Sequence, residues 1–217
     1  MTELMRETVR RQRLAFYFDP ICPFAWRAAE WVREVSRSRP LDVEWRLFSL
    51  GVHNDRKNAT LMMPMRVLAL VERRGGANAV ARLYQTLGRR IHEGGVNVRA
   101  PGALEHAIEE ALRDAGLEPE LLNEALAADE TAEWVREATR QAEREYGAYG
   151  VPWLVLDDCG FGFNGPVLGD VPGVETGREL WDHISWLLAQ SDFYEIKRER
   201  HPAASRPRRH DVEQIAR

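Results

Sequence analysis

The pattern of hydrophobic and polar residues divides the chain into three regions. In the first region, an apolar run at 14–18 and an alternating run at 41–50 have the length and periodicity of strands. Between them, apolar residues recur every three or four positions after Pro23, and proline suits the first turn of a helix. A strand, a helix and a strand predict two parallel strands joined by a right-handed crossover.

The second region, from about 60 to 147, has helical periodicity throughout, so we predict several consecutive helices without a strand. In the third region, an apolar run at 151–158 is followed by a turn at Cys159 and a second short apolar run, which predicts an antiparallel hairpin. A helix should follow, with Thr176 and Glu179 as its capping box.

This order of elements is that of the thioredoxin arrangement, interrupted by helices. We therefore predict an α/β protein: a thioredoxin fold with a large all-helical insertion between the second and third strands. The predicted organisation is a discontinuous thioredoxin-like domain at 14–58 and 148–200, an inserted helical domain at 59–147, and flexible termini at 1–13 and 201–217.

Composition narrows the classes of function. A chain of 217 residues with 44% hydrophobic content can bury a full core. Its net charge of −4 argues against binding to nucleic acid, and a basic C-terminal tail is more often simply solvated. No apolar run approaches the length of a membrane span or of a signal peptide, so we expect a cytoplasmic protein without a membrane partner. Two cysteines are too few for a disulfide framework.

Cys22 is the candidate reactive residue, because it lies where the first strand ends and the first helix begins. Unpaired N–H groups and the helix dipole favour an anion at a helix N-terminus. We therefore expect the pKa of this thiol to lie below its free value of about 8.5. The alternative is a buried structural cysteine.

A second candidate feature is the pair Val151-Pro152 at the start of the third strand. Proline is accepted at the first residue of a strand, and a cis bond there would present the backbone of Val151 to a docked partner. In the thioredoxin arrangement this loop faces the active cysteine. An ordinary trans turn is the alternative.

Five segments carry a resemblance to a known family: FYFDPICPFAW, GRRIHEGG, YGVPWLVLD, FNGPVL and FYEIKRER. Together they resemble the actinobacterial branch of the DsbA-like thioredoxin superfamily that includes the mycothiol-dependent nitroreductases. More distantly, they resemble the 2-hydroxychromene-2-carboxylate isomerases and the kappa-class glutathione transferases. The similarity runs from about residue 14 to about residue 200.

The resemblance implies a catalytic thiol at Cys22 and a cis-proline loop. The residues that it implies for binding substrate or thiol are Pro23, Phe24, Trp26, Asn54, His92, Val151 and Pro152. Ordinary helix-end and turn positions are the alternatives for His92 and Asn54. The implied co-substrate is a low-molecular-weight thiol, mycothiol or glutathione, with no metal. The need for a reduced nicotinamide or deazaflavin, and the formation of a homodimer, are left open.

The sequence departs from the dithiol pattern at Ala25, where dithiol members carry a resolving cysteine. Cys159 is not a substitute, because the length of the third strand puts it roughly 20 Å from Cys22. We therefore expect a monothiol oxidoreductase or transferase whose mixed disulfide is resolved by a separate thiol. The alternatives are a catalytically degenerate thioredoxin-like binding module and a cis-trans isomerase of the 2-hydroxychromene-2-carboxylate isomerase type.

Overall fold

A four-stranded mixed sheet lies at the centre of the protein, in a computed structural model that describes residues 11–55, 59–157 and 159–198. The strands are β1 (Gln12–Phe18), β2 (Leu41–Leu47), β3 (Trp153–Leu156) and β4 (Phe163–Asn164). Their order in the sheet is β2-β1-β3-β4. β1 and β2 are parallel, whereas β3 is antiparallel to both β1 and β4. The predicted parallel pair extended by a hairpin is thus confirmed.

The described residues also form seven helices. They are α1 (Pro23–Ser36), α2 (Leu50–His53), α3 (Ala59–Gly88), α4 (Ala103–Asp114), α5 (Leu121–Ala127), α6 (Asp129–Tyr146) and α7 (Val174–Leu188). α3 is kinked at Gly76, whose φ of 68° is in the left-handed region, and it continues into a π-helical turn at Arg89–Glu93. Helices α2 to α6 all lie between β2 and β3 along the chain, which confirms the predicted helical insertion.

The helix α1 packs between the sheet and α7 through the apolar stripe that its sequence predicts. Ala28, Trp31 and Val35 of this stripe are buried. The indole of Trp31 lies 5.8 Å from that of Trp181 in α7, and its Nε1 donates a hydrogen bond of 2.8 Å to the carbonyl of Gly177. These contacts fix the axis of α1, and therefore the place of its N-terminus.

An aromatic cluster joins the insertion to the sheet. Tyr84 of α3 stacks on Phe18 at the end of β1, with ring centroids 3.7 Å apart. It also meets Trp26 of α1 edge-on at 5.8 Å and Trp45 of β2 at 5.5 Å. The guanidinium of Arg33 lies over all three of the rings of Trp26, Trp45 and Tyr84. The end of α3 is thereby held against the ends of β1 and α1.

Two details of the sequence prediction were wrong. β1 begins at Gln12, inside the predicted flexible segment 1–13. The backbone N–H of Gln12 donates a hydrogen bond to the carbonyl of Pro40, and the strand pairs with β2 from this residue onward. α7 begins after Gly173 rather than at the predicted capping box, and no side chain caps it. Residues 1–10 and 201–217 of the predicted flexible termini lie outside the described residues. The division into two domains stays a prediction.

Candidate active site

Cys22 lies at the junction of β1 and α1, as the sequence predicts. It is the N-cap residue of α1, and Pro23 is the first helical residue. The backbone N–H of Cys22 donates a hydrogen bond of 3.0 Å to the carbonyl of Asp19 and closes a tight turn. Its Sγ lies 3.8 Å from the carbonyl oxygen of Val151, and the Val151-Pro152 peptide is cis. The thiol and the proline loop, which are distant in sequence, therefore meet.

The predicted acidity of this thiol is contradicted by its surroundings. Burial raises the pKa of Cys22 to about 11, because only 8% of the residue is exposed and a thiolate there would lose most of its hydration. The backbone N–H of Ala25 lowers the pKa, Asp19 raises it, and the backbone N–H of Phe24 and the charge of Arg27 lower it. The helix N-terminus acts in the predicted direction, but desolvation outweighs it.

A carboxylate lies in the same turn as the thiol. Asp19 is 6% exposed, and its side chain accepts hydrogen bonds from the backbone N–H of Ile21 at 3.1 Å and of Leu50 at 2.9 Å. It thus ties the turn before α1 to the first residue of α2. Burial raises the pKa of this carboxyl to about 6, while the two backbone N–H groups oppose the shift.

A cleft of about 220 Å³ opens beside the first turn of α1. Its lining consists of Pro23, Trp26 and Arg27 of α1, His92 and Glu93 of the π-helical turn, and Asp170 and Val171 of the segment between β4 and α7. Pro23 directly follows Cys22, so one wall of the cleft begins at the residue after the thiol, whereas Cys22 itself does not line it.

His92 joins the cleft to the turn that carries the thiol. Its Nε2 lies 2.9 Å from the carbonyl of Pro20, and because a carbonyl can only accept, Nε2 carries the proton. Its ring stacks on that of Trp26, with centroids 5.8 Å apart and an interplanar angle of 20°. His92 therefore lines the cleft, and its role in binding stays a prediction.

The other predicted binding residues do not line this cleft. Phe24 is half-buried in the first turn of α1, with the guanidinium of Arg27 over its ring. Asn54 is exposed at the end of α2, where its amide donates a hydrogen bond of 2.8 Å to the carbonyl of Leu50. Val151 and Pro152 directly precede β3, and the carbonyl of Val151 contacts the sulfur of Cys22.

Four lining residues were missed by the sequence reasoning. Arg27 and Glu93 directly follow the predicted Trp26 and His92, so a wider reading of those two motifs would have included them. Asp170 and Val171 had no such signal. Their segment has neither helix nor strand periodicity, and only the folded chain brings it to α1.

Position 25 carries no thiol, and the second cysteine lies far along the chain from Cys22. Ala25 is fully buried one turn into α1. Cys22 and Cys159 are both free thiols. Cys159 is exposed beyond the end of β3 that is opposite to Pro152, and its Sγ lies 3.2 Å from the carbonyl of Phe161. No thiol among the described residues is in the position of a resolving cysteine.

The wall of the cleft depends on a glycine in α3. A Cβ atom on Gly88 would lie 2.1 Å from Cζ3 of Trp26, whose ring is 4% exposed and cannot move outward freely. We therefore expect Gly88→Ala to lower the free energy of unfolding by about 1–3 kcal/mol, despite the better helix propensity of alanine. Chemical denaturation followed by tryptophan fluorescence measures this change.

Gly173→Ala is the matched control, because a Cβ atom at Gly173 meets no atom within 4 Å. Because alanine is a poorer N-cap than glycine, this control should lower the unfolding free energy by about 0.5–1 kcal/mol, less than Gly88→Ala does. Equal stability of Gly88→Ala and the unmodified protein would contradict the close contact with Trp26.

Neither a membrane span nor a metal cluster is found in the described parts of the chain. None of the helices there is long and apolar enough to cross a bilayer. No group of three or more His, Cys, Asp or Glu side chains comes together there as a metal site would need.

Comparison with known proteins gives matches over most of the chain. The model of the Rv2466c-like family, described as mycothiol-dependent nitroreductase Rv2466c, matches residues 21–198. An uncharacterized protein of Mycobacterium tuberculosis, Rv2286c, is 33% identical over 211 residues, which cover 93% of this chain and 85% of that protein.

Solved structures of low sequence identity share the fold. A probable DsbA oxidoreductase from Streptomyces coelicolor has a TM-score of 0.57 and 18% identity, covering 86% of this chain and 94% of that one. The cytosolic disulfide reductase DsbM from Pseudomonas aeruginosa, solved with GSH, has a TM-score of 0.53 and 13% identity, covering 80% of this chain and 99% of that one. These likenesses confirm the predicted thioredoxin fold with a helical insertion, the DsbA-like architecture.

Proposed function

The chain belongs to the Rv2466c-like, mycothiol-dependent nitroreductase family, and from this premise we propose that it is a monothiol oxidoreductase or transferase. Cys22 is the catalytic residue, and a low-molecular-weight thiol of the mycothiol or glutathione type is the co-substrate. The substrate is a disulfide or an electrophilic small molecule. Pro23, Trp26 and His92 bind it in the cleft, while Phe24, Asn54 and the Val151-Pro152 loop complete the site.

The observation that carries this proposal is the contact of Cys22 with the proline loop at the start of the helix that forms one wall of the cleft. Sγ lies 3.8 Å from the carbonyl of Val151, and Pro23 and Trp26 of the same helix form the cleft wall. A molecule that docks on the backbone of Val151 would therefore present its reactive atom to the sulfur. The description of the family as mycothiol-dependent supports the choice of thiol.

A site with a single thiol reacts with a disulfide in two steps of thiol–disulfide exchange. The Cys22 sulfur loses its proton and attacks one sulfur of the disulfide, so that a mixed disulfide forms and the other half leaves as a thiolate and takes up a proton. The low-molecular-weight thiol then attacks the mixed disulfide. It forms a new disulfide with the bound half and releases Cys22 as a thiol. The electrons come from the co-substrate, because Ala25 cannot supply them.

A thioredoxin-like binding module is the second candidate. It is favoured by the raised pKa of Cys22, about 11, because a protonated thiol is a poor nucleophile at neutral pH. Such a module would keep the cleft and the proline loop without turnover.

The experiment is to incubate the protein with mycothiol disulfide, and separately with glutathione disulfide, and to measure the intact mass. We expect one thiol per chain, attached to Cys22, and removed by excess low-molecular-weight thiol. Peptide mapping locates the adduct. An unmodified Cys22 with both disulfides would support the binding module instead.

A further inference from the structure

Arg33 is a largely buried cation in α1, with 13% of its side chain exposed. Its guanidinium carbon lies 4.4 Å from the ring centroid of Trp45, 5.0 Å from that of Tyr84 and 5.3 Å from that of Trp26. Glu30 pairs with the guanidinium at 2.6 Å from the preceding turn of the helix. The three rings belong to β2, α3 and α1, so one side chain links the sheet, the insertion and the first helix. The proposed reaction assigns this cation no role.

The burial of Arg33 is not explained by hydrogen bonding. A buried cation loses hydration, and apolar side chains in its place often stabilise a fold as well or better. Its Nη2 is buried and meets no acceptor among the described residues. The faces of aromatic rings attract a cation, and a planar guanidinium stacks on such a face, as a lysine ammonium does not. What the guanidinium adds is therefore a fixed arrangement of the three rings.

Trp26 connects this cluster to the cleft. Of the three rings around the guanidinium, that of Trp26 lines the cleft, and it stacks on the ring of His92, which lines the cleft as well. Arg33 and Trp26 are seven residues apart in α1, about 10 Å along the axis. Because helical side chains lean toward the N-terminus, the long side chain of Arg33 reaches back to the indole. The contacts thus run without a break from Arg33 through Trp26 to His92.

We propose that Arg33 is a positioning residue for the cleft, and that its guanidinium holds the indole of Trp26 in the orientation in which Trp26 and His92 form one wall. The inference rests on the proposed function, in which the cleft binds the low-molecular-weight thiol or its disulfide. Arg33 does not itself line the cleft. Its loss should therefore weaken binding and leave the chemistry of Cys22 unchanged.

The test follows formation of the mixed disulfide at Cys22 over a range of glutathione disulfide concentrations, in a Cys159→Ser background. We expect Arg33→Met to raise the half-saturating concentration about tenfold, because loss of a desolvated cation–π contact frees the indole. Arg33→Lys keeps the charge without the plane, so its rise should be smaller, about threefold. The limiting rate should stay the same in both variants. So should the rate of alkylation of Cys22 by iodoacetamide, a small reagent that does not need the cleft.

Arg37→Met provides the comparison within the same helix. Arg37 also pairs with the acid three residues before it, Glu34, but 67% of its side chain is exposed. The variant should keep the half-saturating concentration and the limiting rate of the background protein. A rise in Arg33→Met that Arg37→Met equals, or that comes with an equal change in the iodoacetamide rate, would indicate general loosening of α1 and overturn the proposal.

The indole N–H signal of Trp26 in a nuclear magnetic resonance spectrum gives a readout that does not depend on activity. With isotope-labelled tryptophan, Trp26→Phe identifies this signal, and we expect it to move in Arg33→Lys. The signal of Trp134, whose ring meets Arg73 instead, should stay in place. An unmoved Trp26 signal overturns the inference, even if Arg33→Met does not fold. A moved signal in a protein whose Cys22 forms no adduct supports the placement of Trp26 by Arg33 and contradicts the proposed function alone.

Discussion

Cys22→Ser is expected to abolish thiol-dependent turnover, with a fall of about a thousandfold or more. A serine hydroxyl remains protonated at neutral pH and cannot form a mixed disulfide. Because the side chain is 8% exposed and similar in size, the fold should be retained. The measurement combines turnover with a disulfide substrate and the intact mass after incubation with a low-molecular-weight disulfide.

Cys159→Ser is the matched control, since Cys159 is the other free thiol and is exposed. Its activity should equal that of the unmodified protein. Retention of turnover by Cys22→Ser would contradict the catalytic role of this residue. Loss of turnover in both Cys22→Ser and Cys159→Ser would indicate an indirect effect of removing a thiol.

The sheet and the helical insertion could be predicted because the spacing of apolar residues along the chain distinguishes strands from helices. The period of two at 41–50 became β2, and the long helical stretch at 60–147 became α3 to α6. Topology then followed from the order of elements. The wrong details were at element ends, where Gln12 joined β1 and Gly173 replaced the expected cap of α7. Such ends depend on contacts with distant segments, and Gln12 bonds to Pro40.

The location of Cys22 could be predicted, but its proton affinity could not. The strand end, the proline and the helix start are local signals that place the thiol at a helix N-terminus. Burial comes from elsewhere in the chain, where Val151 of the proline loop contacts the sulfur. A local sequence pattern indicates the helix dipole, which lowers the pKa of the thiol, but not the loss of hydration, which raises it. At Cys22 the loss of hydration has the larger effect on the pKa.

The burial of Asp19 could not be predicted from the sequence either. In the sequence it is the polar residue that stops β1 before Pro20. Its partner Leu50 is 31 positions away, and only the parallel pairing of β1 with β2 brings that N–H to the carboxylate. The sequence therefore gives no sign that this acid is buried beside the thiol.

Ala25→Cys is expected to convert the site from a monothiol to a dithiol. Cys22 is the N-cap of α1 and position 25 lies in its first turn, so the substitution creates the Cys-X-X-Cys spacing of redox-active thiol pairs at a helix N-terminus. On oxidation the two thiols should form an intramolecular bond. Because a linked thiol competes at a high effective concentration, the mixed disulfide with glutathione should fall by about tenfold or more.

Intact mass under non-reducing conditions measures both outcomes. Turnover that does not need a low-molecular-weight monothiol should also appear when a dithiol reductant is supplied. Ala29→Cys provides the comparison, because Ala29 is equally buried in α1 but lies seven residues, about 10 Å along the axis, from Cys22. That distance exceeds the reach of a disulfide, so its adduct should persist. If Ala25→Cys also retains the full glutathione adduct, the absence of a resolving thiol is not what makes this site depend on a separate one.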